Sequence, residues 1–349
     1  MTDEWNNDVD VVVIGGGAAG LSGAMMLARM RRSVLVIDAG TPRNAPAEGV
    51  HGLLARDGMP PGELLARGRA EVVSYGGRVV DGEVVAARRE ETGFTVRLAD
   101  GRSVRARRLL VTSGLVDELP SIDGLRERWG RDVLHCPYCH GWEVRDRIIG
   151  ILGSGPTTVH VAQLFRQLSG DIVYFARNTP LTAEQAEQLT ARGIRVVEGD
   201  VESLVVQDDR LTGVRLADGS IVGVDALTVP PRMVARAAFL ADLGLTATEH
   251  SSGVGEFVVV DATGRTDVPG VWAAGNVTDP SAQVGASAAA GAAAGAQINA
   301  DLVAEEVRAA VEARRVDFSA DLEARVSERV IGVRGHGLEE ISVSGGAHR

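Results

Sequence analysis

The sequence predicts an α/β protein with two Rossmann-like, three-layer nucleotide-binding modules and a β-meander belonging to the first. Three observations predict it: a strand–glycine turn–helix–strand unit near the N-terminus, a second such unit at mid-chain, and an alternating apolar and polar stretch between them. In the first unit, Val11-Val12-Val13-Ile14 is continuously apolar and β-branched, as a parallel strand buried on both faces requires. Glycines follow, then residues 21–31 as a helix and Val34-Leu35-Val36-Ile37 as the next strand. In the second unit residues 147–152 read as a strand, Gly153-Ser154-Gly155 as a turn, residues 157–168 as a helix and 171–175 as a strand.

Between the units, residues 79–110 alternate in polarity, with turn signals at Asp81-Gly82 and Asp100-Gly101, the grammar of a hairpin or meander. Leu109-Leu110-Val111-Thr112-Ser113-Gly114 reads as a core strand entering a turn, and Leu119-Pro120 as a crossover between domains. The second module is expected to end near Leu245. Residues 258–261 and 271–276 then read as strands returning to the first module. Residues 286–303 form an Ala/Gly helix whose small side chains permit close packing, internal or between subunits. Beyond Val316 the signals thin out, as in an arm or a partly ordered tail.

A chain of 349 residues accommodates two domains, each with its own core. Apolar content of 45% and charged content of 24% are those of a soluble globular protein. A net charge of -11 and a pI near 5.2 argue against nucleic acid and anionic membrane partners, which need a basic face. The start, Met1-Thr2-Asp3-Glu4-Trp5, is acidic where an export signal would be basic. The uncharged stretch 11–28 is broken by Gly15, Gly16, Gly17, Gly20 and Gly23 and is not read as a membrane span. A cytoplasmic location is therefore expected, where a lone cysteine pair is more often catalytic than structural.

Both cysteines lie in His135-Cys136-Pro137-Tyr138-Cys139-His140-Gly141-Trp142-Glu143. A Cys-x-x-Cys pair closes into a small disulfide and reopens, carrying two electrons per cycle. A helical turn after Cys136 would lower a thiolate's pKa, and His140 would hold or release the proton of thiol exchange. Zinc on His135, Cys136, Cys139 and His140 is disfavoured, because adjacent residues rarely converge on one tetrahedral centre. Cys-Pro-Tyr-Cys also occurs in glutaredoxins, but here it lies deep in a two-module chain.

The pattern Gly15-x-Gly17-x-x-Gly20 follows a strand and opens a helix, letting backbone approach a pyrophosphate at the helix N-terminus. Ala18 and Ala19 belong to the same turn, and Asp38 ends the next strand, placed to accept hydrogen bonds from a ribose. Ser113 and Gly114, where the core strand meets its turn, are further cofactor-binding candidates. The second motif keeps Gly153 and Gly155 but has Thr158 at its third position, where close packing wants Gly or Ala. After its next strand come Ala176-Arg177-Asn178, with one cation for an NADP phosphate and no acid for NAD. This module is a weakened nicotinamide site or a structural remnant. Among the remaining histidines, His51 alone stands out, in a loop after Asp38.

With Ala273-Ala274-Gly275-Asn276-Val277-x-Asp279 near the C-terminus, these motifs resemble the low-molecular-weight thioredoxin reductases over residues 9–303. The resemblance implies an FAD-binding domain in two parts, 1–117 and 246–316, around an inserted nicotinamide-type domain, 118–245, which carries the cysteines. Residues 317–349 would be a C-terminal extension, and the protein a homodimer. It also implies that Cys139 faces the flavin and Cys136 meets the substrate. Gly275 and Asn276 would touch the ribityl chain, and Gln283, one residue early, would approach the ring.

The departures from that pattern are informative. Thioredoxin reductases carry an Asp after the second cysteine, a His-Arg-Arg stretch for NADPH and Ala at the third position of the second motif. This chain has His140, Ala176-Arg177-Asn178 and Thr158. Cys-Pro-Tyr-Cys-His-Gly-Trp-Glu is closer to the dithiol oxidases that close disulfides in holomycin, gliotoxin and romidepsin. That branch implies reversed flow: a small-molecule dithiol reduces Cys136–Cys139, Cys139 passes electrons to FAD, and O₂ leaves as H₂O₂. An NADPH-dependent reductase acting on thioredoxin or a small disulfide is the alternative, and a flavin-and-thiol redox sensor without turnover ranks below both.

Overall fold

A seven-stranded sheet organises the first part of the chain. Its strands in chain order are β1 (Asp8–Ile14), β2 (Val34–Asp38), β3 (Arg78–Asp81), β4 (Val84–Glu90), β5 (Gly93–Leu98) and β6 (Ser103–Val111), completed by Val271–Ala273. The computed structural model describes residues 8–177, 179–317 and 320–331. Strands β3, β2, β1, β6 and Val271–Ala273 run parallel, whereas β4 and β5 form an antiparallel meander onto the start of β6. The long β6 thus serves both halves: Phe94 pairs with Ala106 near its start, and Trp272 with Leu110 near its end. The alternating stretch differs from expectation in one respect. Residues 78–81 form a parallel edge strand, and the meander begins only after Gly82.

The second sheet is parallel, in the order β11-β10-β9-β15-β8, with β8 (Val133–Leu134), β9 (Ile149–Leu152), β10 (Ile172–Arg177), β11 (Arg195–Glu198) and β15 (Ala226–Thr228). An antiparallel sheet of β12 (Val201–Gln207), β13 (Arg210–Leu216) and β14 (Ile221–Val222) accompanies it. The chain crosses between the two large sheets twice. The crossings, β7 (Leu115–Glu118) and β16 (Arg232–Ala235), pair antiparallel. Leu35, Phe94, Val96 and Leu109 fill the core of the first sheet, and Leu152, Phe175 and Leu227 that of the second. Each such side chain, fully withdrawn from water, contributes about 1.5–3 kcal/mol.

Helices α1 (Ala18–Arg29) and α2 (Pro61–Ser74) flank the first sheet, α3 (Leu125–Arg128) precedes β8, and α4 (Pro137–His140) lies between β8 and β9. Then come α5 (Pro156–Phe165), α6 (Ala183–Ala191), α7 (Val284–Asp317) and α8 (Ala320–Ile331). The small-residue stripe of α7 packs internally. A Cβ on Gly291 would strike the Ala19 carbonyl, and one on Gly295 would lie 2.7 Å from the Gly23 oxygen, so α1 and α7 touch backbone to backbone. Residues 258–260 are not a strand: Val258 N–H donates to the Val277 carbonyl instead, and the pairing nearby is Thr248–Glu249 with Glu256–Phe257.

The chain forms two compact units, Met1–Ile298 and Asn299–Arg349. In the second, α8 shows that the segment beyond Val316 includes a helix. The expected tail past it, and Asn178 with the first seven residues, lie outside the described residues. Among the described residues no helix is long and apolar enough to cross a membrane.

Candidate active site

A cavity of about 1020 Å³ joins the first glycine turn to the cysteine pair. Gly15, Gly17, Ala18 and Ala19 line it, where α1 begins. Gly15 has φ +108° and lies against the Thr112 carbonyl, so no side chain fits there. A Cβ on Gly17 would meet nothing within 4 Å, which leaves space for a phosphate at the N-terminus of α1. Gly20 is placed differently from the sequence reading. It is absent from the cavity wall, and a Cβ there would collide with the Gly15 carbonyl and lie 2.6 Å from Thr112 Oγ1. Its role is close packing of helix on strand.

Asp38 lines the cavity at the end of β2, and its carboxylate is already ion-paired with Arg69 on α2. Ser113 and Gly114 also line it, but the Ser113 hydroxyl donates to the Arg236 carbonyl (2.6 Å) and so ties the two crossing strands together. Gly275, Asn276 and Gln283 form another part of the wall. Asn276 Nδ2 donates to the carbonyls of Asp279 (3.0 Å) and Ala282 (2.8 Å), while its Oδ1 faces Arg43 (3.5 Å). An aspartate could not donate to those carbonyls, which gives a physical reason for Asn at this position. An open glycine cradle at a helix N-terminus, an acid at the second strand end and a cavity of this size fit FAD.

Cys136 and Cys139 are disulfide-bonded, with Cα atoms 5.3 Å apart, and both line this cavity. The expected helical turn is present as α4, with Cys136 capping it and Pro137 at its first position. Only four residues long, it carries little of the dipole expected to stabilise a thiolate. His140 lines the same cavity, and its Nε2 is buried without a hydrogen-bond partner among the described residues. Burial holds the His140 pKa below the ordinary imidazole value, assisted by His51, while Glu143 and Glu48 pull the other way. The ring is therefore neutral at neutral pH, as a proton acceptor must be.

Several residues of this cavity carried no sequence signal. Arg43 makes a two-pronged salt bridge to Asp117 on β7 (2.7 and 2.6 Å), linking a first-module loop to a crossing strand. His135 is held below its usual pKa by burial and then by the Arg43 charge. His51 stands between Asp57 and Glu143, at 3.5 and 3.4 Å. Arg43 with Asp117 and His51 with Glu143 join segments far apart in the chain, so no local pattern announces them. Only the loop position of His51 gave a hint.

The second glycine turn also has open space beside Gly155, but part of its hydrogen-bonding capacity is already used. Thr158, buried on α5, accepts the Ser154 N–H (3.2 Å), donates to the Gly155 carbonyl (2.7 Å) and accepts from the buried Tyr174 hydroxyl (2.9 Å). Pro156 at the first helical position brings no N–H. Arg177 ends β10 with φ +53°, its Nε buried without a partner among the described residues.

A glycine cradle leading to a redox disulfide defines a class of flavoprotein. The chain belongs to the pyridine nucleotide-disulphide oxidoreductase family, which matches residues 9–297. It is an oxidoreductase of thioredoxin reductase-like α/β fold, in a family of FAD-binding flavoproteins some of whose members use NADPH. More particularly, it is similar to the thioredoxin reductase tcpT of Claviceps purpurea (strain 20.1), 30% identical over 283 residues, 78% of this chain and 87% of that one. The thioredoxin reductase sirT of Leptosphaeria maculans is 29% identical over 293 residues, 79% of this chain and 88% of that one. Among solved structures, HlmI superposes with a TM-score of 0.83 at 47% identity, covering 91% of this chain and 99% of that one.

Proposed function

We propose that this protein is an FAD-dependent dithiol oxidase, closing a disulfide in a small molecule while O₂ is reduced to H₂O₂. The observation that supports this direction of flow is the reduced donor set of the second turn. Its Ser154 N–H is taken by Thr158 and Pro156 supplies none, which leaves fewer donors for a nicotinamide dinucleotide's phosphates. The first turn, by contrast, opens into the cavity that holds the disulfide.

FAD would be held by Gly15, Gly17, Ala18, Ala19, Asp38, Gly114, Gly275, Asn276 and Gln283, and when bound it supplies a two-electron acceptor that O₂ reoxidises. The chain's own residues do the thiol chemistry. One substrate thiol yields its proton to neutral His140, and the thiolate attacks Cys136 Sγ as the Cys136–Cys139 bond breaks. Cys139 leaves as a thiolate. The second substrate thiol then attacks the substrate sulfur bound to Cys136, its proton passing to the departing Cys136 sulfur, which releases the product disulfide and leaves both cysteines reduced. Because His140 titrates below about 6.5, the acid limb of kcat/KM should lie below that pH, and its position in a pH–rate profile checks the role.

The deciding experiment is anaerobic. A small dithiol should bleach the flavin and O₂ should restore it with peroxide release; rapid bleaching by NADPH with steady turnover of thioredoxin would overturn the reading. Cys136→Ser should lower dithiol turnover by about a thousandfold or more. A second reading, an NADPH-dependent reductase, draws on Arg177, whose buried Nε could turn toward a phosphate. We also propose a homodimer, supported by the exposed Val303, Val307 and Val311 at four-residue spacing on α7. Sedimentation of the flavin-loaded protein tests this.

A further inference from the structure

We propose that Arg43 is a positioning residue for the disulfide: its fork on Asp117 clamps the ribbon that joins the two modules and so sets the cysteine pair against the flavin cavity. The inference goes beyond the oxidase reading and holds for either direction of flow. It rests only on FAD occupying the first-module cavity.

The glycine cradle and Asp38 belong to the first module, whereas Cys136 and Cys139 ride on α4 in the second. How the disulfide meets the flavin is therefore set by the orientation of one module on the other. The ribbon between them is slight: β7 and β16 pair only along Leu115–Glu118 and Arg232–Ala235. A two-stranded ribbon this short twists and bends readily, and modules joined by one move unless something else ties them.

The tie is the loop that leaves Asp38. Arg43 Nε and Nη2 donate to the two carboxylate oxygens of Asp117, on β7, at 2.7 and 2.6 Å. The Asp117 side chain is only 8% exposed and that of Arg43 25%, so water screens this pair far less than a surface bridge. A planar guanidinium meets a carboxylate in this way from one direction only, which fixes orientation as well as distance. Its Nη1 also reaches Asn276 Oδ1 (3.5 Å), in the segment that returns to the first module. Two residues before Arg43, the Thr41 carbonyl accepts from the Arg236 guanidinium (3.0 Å), just past β16. Residues 41–43 thus grip both strands of the ribbon. Further along the loop, Pro46 packs on Gly130 of the second module, where an added Cβ would lie 2.6 Å from the Pro46 Cβ. Arg43 and Asp117 line the same cavity as the cysteines, and both charges are felt by His135, the residue before Cys136.

The test reads access to the cysteines and needs no substrate. Both cysteines of the chain belong to this pair, so all cysteine alkylation reports on the site. Flavin-loaded full-length protein is reduced by a phosphine without oxygen and treated with iodoacetamide, and mass spectrometry follows the modified fraction. Asp117→Asn and Arg43→Ala should each be alkylated about tenfold faster than wild type. Arg43→Lys keeps the charge and loses the fork, and should fall between them and wild type. Tyr174→Phe, which loses a hydrogen bond away from the ribbon, should keep the wild-type rate. A wild-type rate in Asp117→Asn would overturn the proposal, whatever Arg43→Ala shows, because Arg43 would then act without its partner on the ribbon. Should Asp117→Asn not fold, a wild-type rate in Arg43→Lys would overturn it instead. A rate raised equally in Tyr174→Phe would mark lost stability alone and would overturn it too. If alkylation behaves as expected while no dithiol is oxidised, the oxidase reading fails and the assignment of Arg43 stands.

Discussion

The two glycine turns of this chain start from the same strand–turn–helix pattern and differ at its third position. In the first, Gly20 lets α1 sit down on β1, and the turn's polar edge faces a cavity. In the second, Thr158 occupies the equivalent position, and its hydroxyl turns inward to Ser154, Gly155 and Tyr174. The difference lies in where the third residue's atoms go. A residue without a side chain leaves backbone donors facing outward for an anion; one with a hydroxyl gathers them in.

That contrast can be broken deliberately. Gly20→Thr would bring the second turn's residue into the first, against the Gly15 carbonyl. The collision is with backbone and exceeds the ~1–3 kcal/mol of ordinary overpacking. The variant should purify without flavin, as its absorbance at visible wavelengths will show. The reverse change is gentler. Thr158→Ala leaves the Ser154 N–H and the Tyr174 hydroxyl without their partner, costing about 1–3 kcal/mol, measurable as a lower denaturation midpoint. Combined with Pro156→Asn it should free further donors, and calorimetry should then detect tighter NADPH binding than in wild type. Tyr174→Phe removes one hydrogen bond and keeps the ring's packing, so it should cost only about 0.5–1.5 kcal/mol and leave the Ser154–Thr158 bond in place.

The same contrast explains what was legible in the sequence. Strand–turn–helix units are local, and both were readable from Val11-Val12-Val13-Ile14 with its glycines and from Gly153-Ser154-Gly155. The cysteine pair and His140 were readable for the same reason, being neighbours in the chain. Thr158 could be recognised as a departure, yet its partner Tyr174 could not, since the pairing depends on how α5 packs on β10. Gly20 fitted the motif, but whether it lines the cavity or packs beneath it is a question of depth that spacing does not answer. Residues 258–260 misled because an apolar run satisfied by one backbone hydrogen bond looks like a strand. Arg43 with Asp117, and His51 with Glu143, meet only after the two crossings bring their segments together.

Strand Val271–Ala273 has a consequence for biogenesis. All strands of the parallel sheet built on β9 have been synthesised once Thr228 leaves the ribosome, but the sheet around β6 must wait for Val271–Ala273, which lie more than a hundred positions beyond the end of β6 at Val111. Contacts of such long sequence separation form slowly, and until they do the edge of β6 has no neighbour there. Nascent chains should therefore mature the middle first and trap their coloured prosthetic group last, after Gln283 has emerged. A truncation upstream of that residue would fold in part yet stay pale.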